Sequence, residues 1–297
     1  MWDCGTYSKS LWFILFLSPH VLADPARSIQ AVACEAPVAI DGILDEDAWT
    51  RAPVLDQFTA IQPSPGRPLS ERTEVRILYD QTALYFGVRC HESRPDRISA
   101  RGRERDGYVK RGDYVQIFVD TFHDRRNGYA FAASPDEGRW DALISNHFTE
   151  NTDWDGIWNV RCRTDATGWT AEIAIPFKTL SYNSKLDTWG LNISRNIART
   201  GELGLWNDAR PENEVHYAGN AGTLTGLVGL PKTLGFEVSP YVLGRYRNQD
   251  GGTKNLTGDV GFDVRWRIGS GLNATVSVNT DFAETEVDPR VLNFSRF

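Results

Sequence analysis

The chain has 297 residues, of which 41% are hydrophobic and 24% are charged, and its formal net charge is −7. A nucleic-acid partner is excluded, because no basic stripe that could neutralise a phosphate backbone is present. Intrinsic disorder is excluded as well, since 10 Trp, 10 Tyr and 14 Phe residues supply apolar surface that a folded core must bury.

Residues 1–23 predict a cleaved secretory signal. Lys9 precedes an apolar run over residues 11–17, a Ser-Pro pair ends that run, and Val21 and Ala23 lie just before Asp24. Because the run is shorter than the ~18–20 residues of a spanning helix, we expect cleavage and export to the outer membrane or periplasm. An uncleaved anchor and a buried N-terminal helix are the alternatives.

Export makes the cysteines informative. Removal of Cys4 with the signal leaves Cys34, Cys90 and Cys162, an odd number without the close spacing of a zinc site. We expect each of these three to lie on a strand as a small buried hydrophobe. One disulfide of unspecified pairing is the alternative.

Residues 24–230 predict an antiparallel β-sandwich, because many short segments of alternating polarity are separated by turn signals. One helix is expected over residues 45–52, with Asp45 as its N-cap. The expected strands cover residues 75–79 and 84–90 as a hairpin, 114–120 paired with 129–133, and then 158–162, 169–175 and 189–195.

Residues 231–297 show a longer alternation. Three segments, at about 236–247, 260–268 and 272–278, place apolar residues on one side and polar residues on the other. Strands of ~9–11 residues with this pattern are typical of outer-membrane β-barrels, whose minimum is ~8 strands. The fold class predicted is therefore all-β, an antiparallel sandwich followed by the first staves of a truncated transmembrane β-barrel. A second soluble sheet is the alternative.

Three segments of the sandwich resemble the family 9 carbohydrate-binding modules. Residues 40–49 (IDGILDEDAW) resemble the opening of such a module, 112–120 (GDYVQIFVD) its central strand, and 168–177 (GWTAEIAIPF) a late strand. They occur in the expected order within residues 30–228. Residues 279–288 (NTDFAETEVD) and 293–297 (NFSRF) resemble the start of the barrel in a bacterial family that joins such a module to a membrane β-barrel.

The resemblance implies a sandwich that binds a poly- or oligosaccharide in the context of carbohydrate catabolism, with frequent attachment to glycoside hydrolases. In the family two tryptophans hold the terminal sugar between them. In this chain Lys110 stands near the first of these positions, and residues 213–217 (NEVHY) cover the second. Gln116 replaces the usual acidic residue of the central strand.

A sugar site needs exposed aromatic rings for the apolar face of a pyranose and planar polar groups for its hydroxyls. Trp49 and Trp169 are expected in the core, and Asn192 and Arg195 on opposite sides of one strand. Trp154 and Tyr217 are weaker candidates. The residues predicted to contact a sugar, at loops at one end of the sandwich, are Tyr108, Gln116, Arg139, Trp140, Asn192, Arg195 and Trp206.

Three other chemistries stay open. A glycoside hydrolase needs two carboxylates ~5–10 Å apart across a cleft, and no spacing in the sequence singles out a pair. A haem-binding sandwich would have only His91, His123, His147 and His216 as axial ligands once Met1 is removed. Calcium is the candidate cofactor, because the acidic loops at 41–47 and 153–155 offer oxygen ligands, although without EF-hand spacing.

Overall fold

The computed structural model describes residues 27–100, 102–103, 105–107, 109–207, 209, 215–231, 236–248, 254–268 and 272–279. The expected signal at 1–23, the candidate Tyr108 and most of the second resemblance lie outside the described residues.

Two sheets face each other in residues 27–231. The first, which we call the front sheet, runs in the order β1-β14-β12-β6-β7-β8-β9, with β13 also beside β12 and β3 beside β13. The second, the back sheet, runs β10-β11-β5-β4-β2. The front strands are β1 (Ser28–Gln30), β3 (Thr59–Gln62), β6 (Tyr114–Asp120), β7 (Gly128–Ala133), β8 (Arg139–Ser145), β9 (Thr149–Asn151), β12 (Trp189–Ile197), β13 (Glu202–Leu205) and β14 (Gly222–Thr225). The back strands are β2 (Val32–Ala33), β4 (Thr73–Tyr79), β5 (Ala83–His91), β10 (Asn159–Asp165) and β11 (Gly168–Pro176).

The sandwich core follows from the two-residue period of the strands. On β6, Val115, Ile117 and Val119 join the large buried cluster between the sheets, whereas Phe118 belongs to a smaller cluster on the other face of the front sheet. Every strand expected from alternation within residues 75–195 is present, and the 75–90 hairpin and the pairing of β6 with β7 are confirmed. The predicted all-β sandwich is therefore correct.

Two local expectations were wrong. The helix α1 (Asp47–Arg51) begins after Glu46 and has no side-chain cap, because Glu46 Oε1 instead accepts the Ala39 N–H at 2.9 Å. The sandwich is also not wholly antiparallel: β1 pairs in parallel with β14, and β2 with β4. Residues 28–33 thus add one short strand to each sheet, and segments of three and two residues carry no readable alternation.

The buried carboxylate of Glu172 holds the N-terminal segment against the back sheet. Its Oε2 accepts the backbone N–H groups of Asp41 at 2.9 Å and Gly42 at 2.8 Å, and its Oε1 accepts the indole N–H of Trp49 at 3.2 Å. Burial raises the pKa of this carboxyl above its ordinary value, against the effect of the donors. On the same strand, the Thr170 hydroxyl donates to the Gly42 carbonyl at 2.6 Å.

Trp49 packs beside this carboxylate, as a core residue, as predicted. Gly87 is the cross-strand neighbour of Glu172, and a Cβ on Gly87 would lie only 2.9 Å from the Trp49 ring. The indole therefore lies directly on the backbone of β5, which only glycine permits at this distance. Gly42, at φ +87°, makes the turn that brings its own N–H to Glu172.

The three described cysteines are free, and Cys34 and Cys90 are buried. Burial raises the pKa of the Cys90 thiol to about 11. Cys90 on β5 and Cys162 on β10 are separated by the intervening β11, a lateral distance of about 10 Å at the usual strand spacing. That distance exceeds the ~7 Å Cα limit of a disulfide. Cys34 packs in a different cluster, so the alternative of a disulfide among these three does not fit the fold.

Residues 236–278 contribute a third sheet of long antiparallel strands, β15 (Phe236–Asn248), β16 (Lys254–Ile268) and β17 (Leu272–Val278), in that order. Val238, Val264 and Val276 occupy one cross-strand row, and Pro240, Phe262 and Val278 the next. Each row therefore presents its apolar side chains on one face. Among the described residues, no helix is long and apolar enough to cross a membrane.

We expect Glu172→Ala to lower the free energy of unfolding by about 3–5 kcal/mol, because it leaves three N–H donors without an acceptor, two of them buried, at ~1–3 kcal/mol each before relaxation. Denaturant unfolding of the 24–230 fragment measures this loss. Glu35→Ala, at an exposed site, is the control and should change stability by less than about 0.5 kcal/mol. Equal effects of the two substitutions would show that the Glu172 contacts do not stabilise the fold.

Candidate functional site

The face of the front sheet that points away from the back sheet, the outer face, carries a continuous cross-strand row. Ser194 on β12 lies opposite Gln116 on β6, Gln116 opposite Ala132 on β7, and Ala132 opposite Trp140 on β8. Because residues in register share a face, these four side chains stand side by side. Ala132, between the polar pair and the indole, is fully buried in the apolar cluster of this face.

Gln116 and Ser194 form a polar floor at one end of this row. They are only 3% and 1% exposed, and neither Gln116 Nε2 nor Ser194 Oγ has a hydrogen-bond partner among the described residues. Buried polar atoms are nearly always paired with protein or water. An unpaired amide next to an unpaired hydroxyl therefore indicates a place where an added polar group would be stabilised.

At the other end of the row, a charged network covers Trp140. The Lys110 ammonium lies 3.2 Å from the centroid of the Trp140 ring and 3.3 Å from Glu150 Oε1. The same Glu150 oxygen is 3.4 Å from His216 Nδ1. An ammonium on the ring face is a favourable cation–π contact, and it leaves Trp140 only 7% exposed.

Two aromatic side chains stand at the rim of the outer face, and we call them the rim pair. Phe148, in the turn between β8 and β9, is 63% exposed, and its ring lies 6.5 Å from that of Tyr217 at an interplanar angle of 25°. The Ala218 N–H donates to the His147 carbonyl at 3.1 Å and so connects the two segments that carry the pair. Asn146 and His147 have φ of +50° and +78°, which turns the chain sharply before Phe148.

Three predicted contact residues do not present their side chains on the outer face. Arg195 is fully buried between the sheets, 3.3 Å from Asp113 Oδ1 and 5.0 Å from the Trp169 ring. Arg139 is half-buried and donates to the Trp158 carbonyl at 2.9 Å. Trp206 is 4% exposed, in the core between the sheets. Tyr108 lies outside the described residues.

The other predicted residues lie on the outer face. Gln116 and Trp140 belong to the row described above. Asn192 also faces outward, opposite to Arg195 as the three-residue spacing predicts, but its amide bonds to the backbone of Asn207. A ring that stacks on a sugar needs one exposed face. The indoles of Trp140 and Trp206 are both covered, so neither meets this requirement.

Sequence reasoning missed Phe148 and Glu150 as candidates. Phe148 lies in a turn, where no periodic pattern distinguishes a functional aromatic from an ordinary loop residue. From the sequence, Lys110 was identified only as a departure from the family pattern, and His216 only as a candidate haem ligand. On β8, Trp140, Ala142 and Ile144 alternate as in a strand. The pattern is hard to detect in the sequence because the residues that face inward, Arg139 and Asp141, are charged.

The buried carboxylates of the described residues are all held by the fold. Asp141 illustrates this, because it accepts from Arg105, from the Gly156 N–H and from the Trp158 indole. The full set is Glu71, Glu92, Asp113, Asp120, Asp141 and Glu172. Each accepts at least two hydrogen bonds from protein groups. None of them forms a pair that faces an open cleft as glycoside hydrolysis would require.

The described histidines and acidic loops give no support to haem or calcium. His91 lies 3.1 Å from Glu74 and His216 is engaged by Glu150. In the expected calcium loop, Asp41 Oδ1 already accepts the Ile43 N–H at 2.8 Å. Within the part of the chain that the structure describes, no group of three or more His, Cys, Asp or Glu side chains is placed to hold a metal ion.

Comparison with known families assigns the chain. A family model described as "Carbohydrate family 9 binding domain-like" matches residues 40–214, more than half of the chain. The chain belongs to this family. The match covers the Glu172 contacts, the polar floor and the Phe148 turn, and ends before the 215–220 segment that carries Tyr217. No curated protein sequence matches the chain.

Solved structures share the family 9-like fold at low identity. A Bacteroides uniformis protein, titled a "putative carbohydrate-binding protein", has a TM-score of 0.56 at 14% identity and covers 67% of this chain and 99% of that one. A family 9 module from Caldicellulosiruptor kristjanssonii in complex with glucose has a TM-score of 0.50 at 14% identity, with 69% and 97% covered. The same module with cellotriose has a TM-score of 0.49 at 16% identity, with 67% and 93% covered.

Burial predicts a large loss of stability when one aromatic side chain is removed and a small change when another is removed. Trp206→Ala should cost about 3–5 kcal/mol because it empties a core position. Phe148→Ala should change stability by less than ~1 kcal/mol, since most of that ring is already in water. Urea unfolding of both variants measures the difference. A large loss on Phe148→Ala would mean that the ring is packed in solution and is not available to a ligand.

Proposed function

We propose that residues 24–230 form an extracytoplasmic module that binds a poly- or oligosaccharide at the rim pair. The observation that carries this proposal is the near-parallel arrangement of two aromatic rings, one of them largely exposed, on a family 9-like sandwich. Single exposed aromatic residues are common on protein surfaces, but a near-parallel pair beside a charged network is a specific arrangement.

The rim pair suits the apolar face of a pyranose. Axial C–H groups of a sugar ring pack on an aromatic face through dispersion and through the negative charge of that face. Phe148 and Tyr217 lie 6.5 Å apart at 25°, and rotation of the largely exposed Phe148 side chain would admit a sugar ring into the slot between them. The Tyr217 hydroxyl adds a polar group at the edge of this slot.

Polar groups for the sugar hydroxyls lie next to the rim pair. The side chains of Lys110 and Glu150 are about one-third exposed, and together they offer an N–H donor and a carboxylate acceptor. A sugar hydroxyl can bond to both, because it donates and accepts. Deeper on the same face, Gln116 and Ser194 supply unpaired polar atoms for a hydroxyl or a bridging water.

The first probe follows from the structural neighbours. The Caldicellulosiruptor module was solved with glucose, so glucose and its β-1,4-linked oligomers are the appropriate starting ligands for this chain. A glycan array then extends the search to other sugars.

We expect Phe148→Ala and Tyr217→Ala each to weaken the affinity for the bound sugar about tenfold, equal to ~1.4 kcal/mol, because each removes one stacking face. Isothermal titration of each variant, beside a thermal melt, gives affinity and stability together. Ile157→Ala, another largely exposed apolar residue, is the matched control and should bind like the parent. Unchanged affinity in both aromatic variants would place the sugar elsewhere.

We further propose that residues 1–23 direct export and that residues 231–297 contribute staves to an outer-membrane β-barrel. In the third sheet, apolar side chains on one face are exposed, among them Val242, Val260, Phe262 and Trp266. An exposed apolar surface of this extent is unfavourable in water and is the pattern of a lipid-facing wall.

The membrane proposal predicts different solution behaviour for two chains. Residues 24–230 should remain soluble and melt cooperatively without detergent, since the sandwich core lies within them. Residues 24–297 should require detergent or associate with phospholipid vesicles, because the third sheet, as far as the structure describes it, exposes an apolar face and its two edge strands. Flotation of both chains with vesicles is the measurement. A chain of 24–297 that stays in the aqueous fraction would identify the third sheet as a second soluble sheet.

A further inference from the structure

The amide side chain of Asn207 connects the core of the front sheet to the segment that carries Tyr217. We propose that Asn207 is a positioning residue for the carbohydrate site, which holds Tyr217 in place relative to Phe148 without contacting the sugar. The expected effect of Asn207 on sugar binding rests on the proposed function. Its structural part, the anchoring of residues 215–220, can be measured without any sugar.

Asn207 is buried, and its hydrogen-bonding groups are used in two directions. Toward the sheet, its backbone N–H donates to Asn192 Oδ1 at 3.1 Å, and its carbonyl accepts from Asn192 Nδ2 at 3.2 Å. Its Oδ1 accepts the Arg27 N–H at 2.8 Å. Toward the rim, its Nδ2 donates to the Asn220 carbonyl at 2.8 Å. Only the last of these bonds reaches the Tyr217 segment.

The hydrogen bond between Asn207 and Asn220 fixes the position of Tyr217 through one short turn. The Asn220 N–H donates to the Tyr217 carbonyl at 3.0 Å, which closes the 3-10 turn Ala218–Asn220. At the start of the turn, the Ala218 N–H is bonded to His147, next to Phe148. The turn is therefore fixed at one end to the Phe148 segment and at the other to Asn207. Asn192, predicted from the sequence as a sugar contact, supports the same anchor.

Loss of the Asn207 contact should weaken sugar binding, because the Tyr217 ring would then have to be ordered when the sugar binds. A ring that must be immobilised when the ligand arrives costs conformational entropy, whereas a ring already held in place does not. Affinity then depends on a residue that touches no ligand. A residue that merely stabilised the whole domain would lower its melting temperature without a selective effect on the rim.

Asn207→Asp isolates the rim-directed bond. The carboxylate keeps the shape of the amide and the acceptor for the Arg27 N–H, but it cannot donate to the Asn220 carbonyl. Thr121→Val is the matched control, since it removes another side-chain hydrogen bond, 2.6 Å from Oγ1 to the Ser181 carbonyl, which does not involve residues 215–220. Both variants are made in the 24–297 chain, in detergent if that chain requires it.

Two measurements decide the proposal. In Asn207→Asp we expect amide hydrogen exchange in residues 215–220 to accelerate at least tenfold in the absence of sugar, with exchange in β6 and β12 unchanged. We expect the Kd for the best sugar from the array to rise about tenfold, and Thr121→Val to change neither quantity at the rim. A local acceleration together with a weaker Kd supports the proposal.

Two results would overturn it. Exchange at 215–220 that stays at the parent rate would show that Asn207 does not anchor the turn. A Kd that rises no more than in Thr121→Val would show that the anchor does not serve binding. A parent protein that binds no sugar on the array would contradict the proposed function alone, and the exchange result would still decide whether Asn207 holds the Tyr217 segment.

Discussion

The contacts of the Glu172 carboxylate determine how the rest of the sandwich is arranged. One buried acid accepts the N–H groups of a turn at Asp41 and Gly42 and the indole N–H of Trp49, and so attaches the N-terminal segment to the outer side of the back sheet. This segment buries Leu78, Tyr85 and Ala174 on the outer side of the back sheet. The centre of the front sheet is also buried on both faces, so its accessible aromatic surface lies at the turns of its rim, where Phe148 is 63% exposed.

The residues that make the family recognisable are therefore used for folding. Segment 40–49 meets segment 168–177 at Glu172, and segment 112–120 contributes Asp113, whose carboxylate pairs with the buried Arg195. Removing one partner of a buried pair leaves an uncompensated charge, which costs several kcal/mol, so such positions tolerate little change. The signature fixes the scaffold, and it carries no direct information about the ligand. For this reason the chain matches the family model, although its sequence identity to the sugar-bound structures is low.

The sequence predicted the strands well and the exposure of individual tryptophans poorly, and the reason is physical. Alternation on β6 or β11 reports directly which side chains face a core, because the strand period is two. Whether a tryptophan is exposed depends instead on what packs over it from elsewhere in the chain. Trp206 is covered by the core and Trp140 by Lys110, and neither cover is local in sequence. Phe148 is exposed because it lies in a turn, and Tyr217 lies beside it because its segment is held to that turn and the strand after it, by the contacts of Ala218 with His147 and of His216 with Glu150.

Lys110 is the departure from the family pattern on which the proposed position of the sugar site depends. The resemblance implies a tryptophan near this position, which would offer a flat ring to the sugar. Lysine cannot stack in that way, and its ammonium instead occupies the face of Trp140 and pairs with Glu150. In the proposed site, the stacking surface is supplied by the rim pair, on turns of the front sheet, and Lys110 is a hydrogen-bond donor. A site built on turns depends on whatever holds those turns in place, and for this reason buried amides such as Asn207 and Asn192 matter as much to the proposed recognition as the rings themselves.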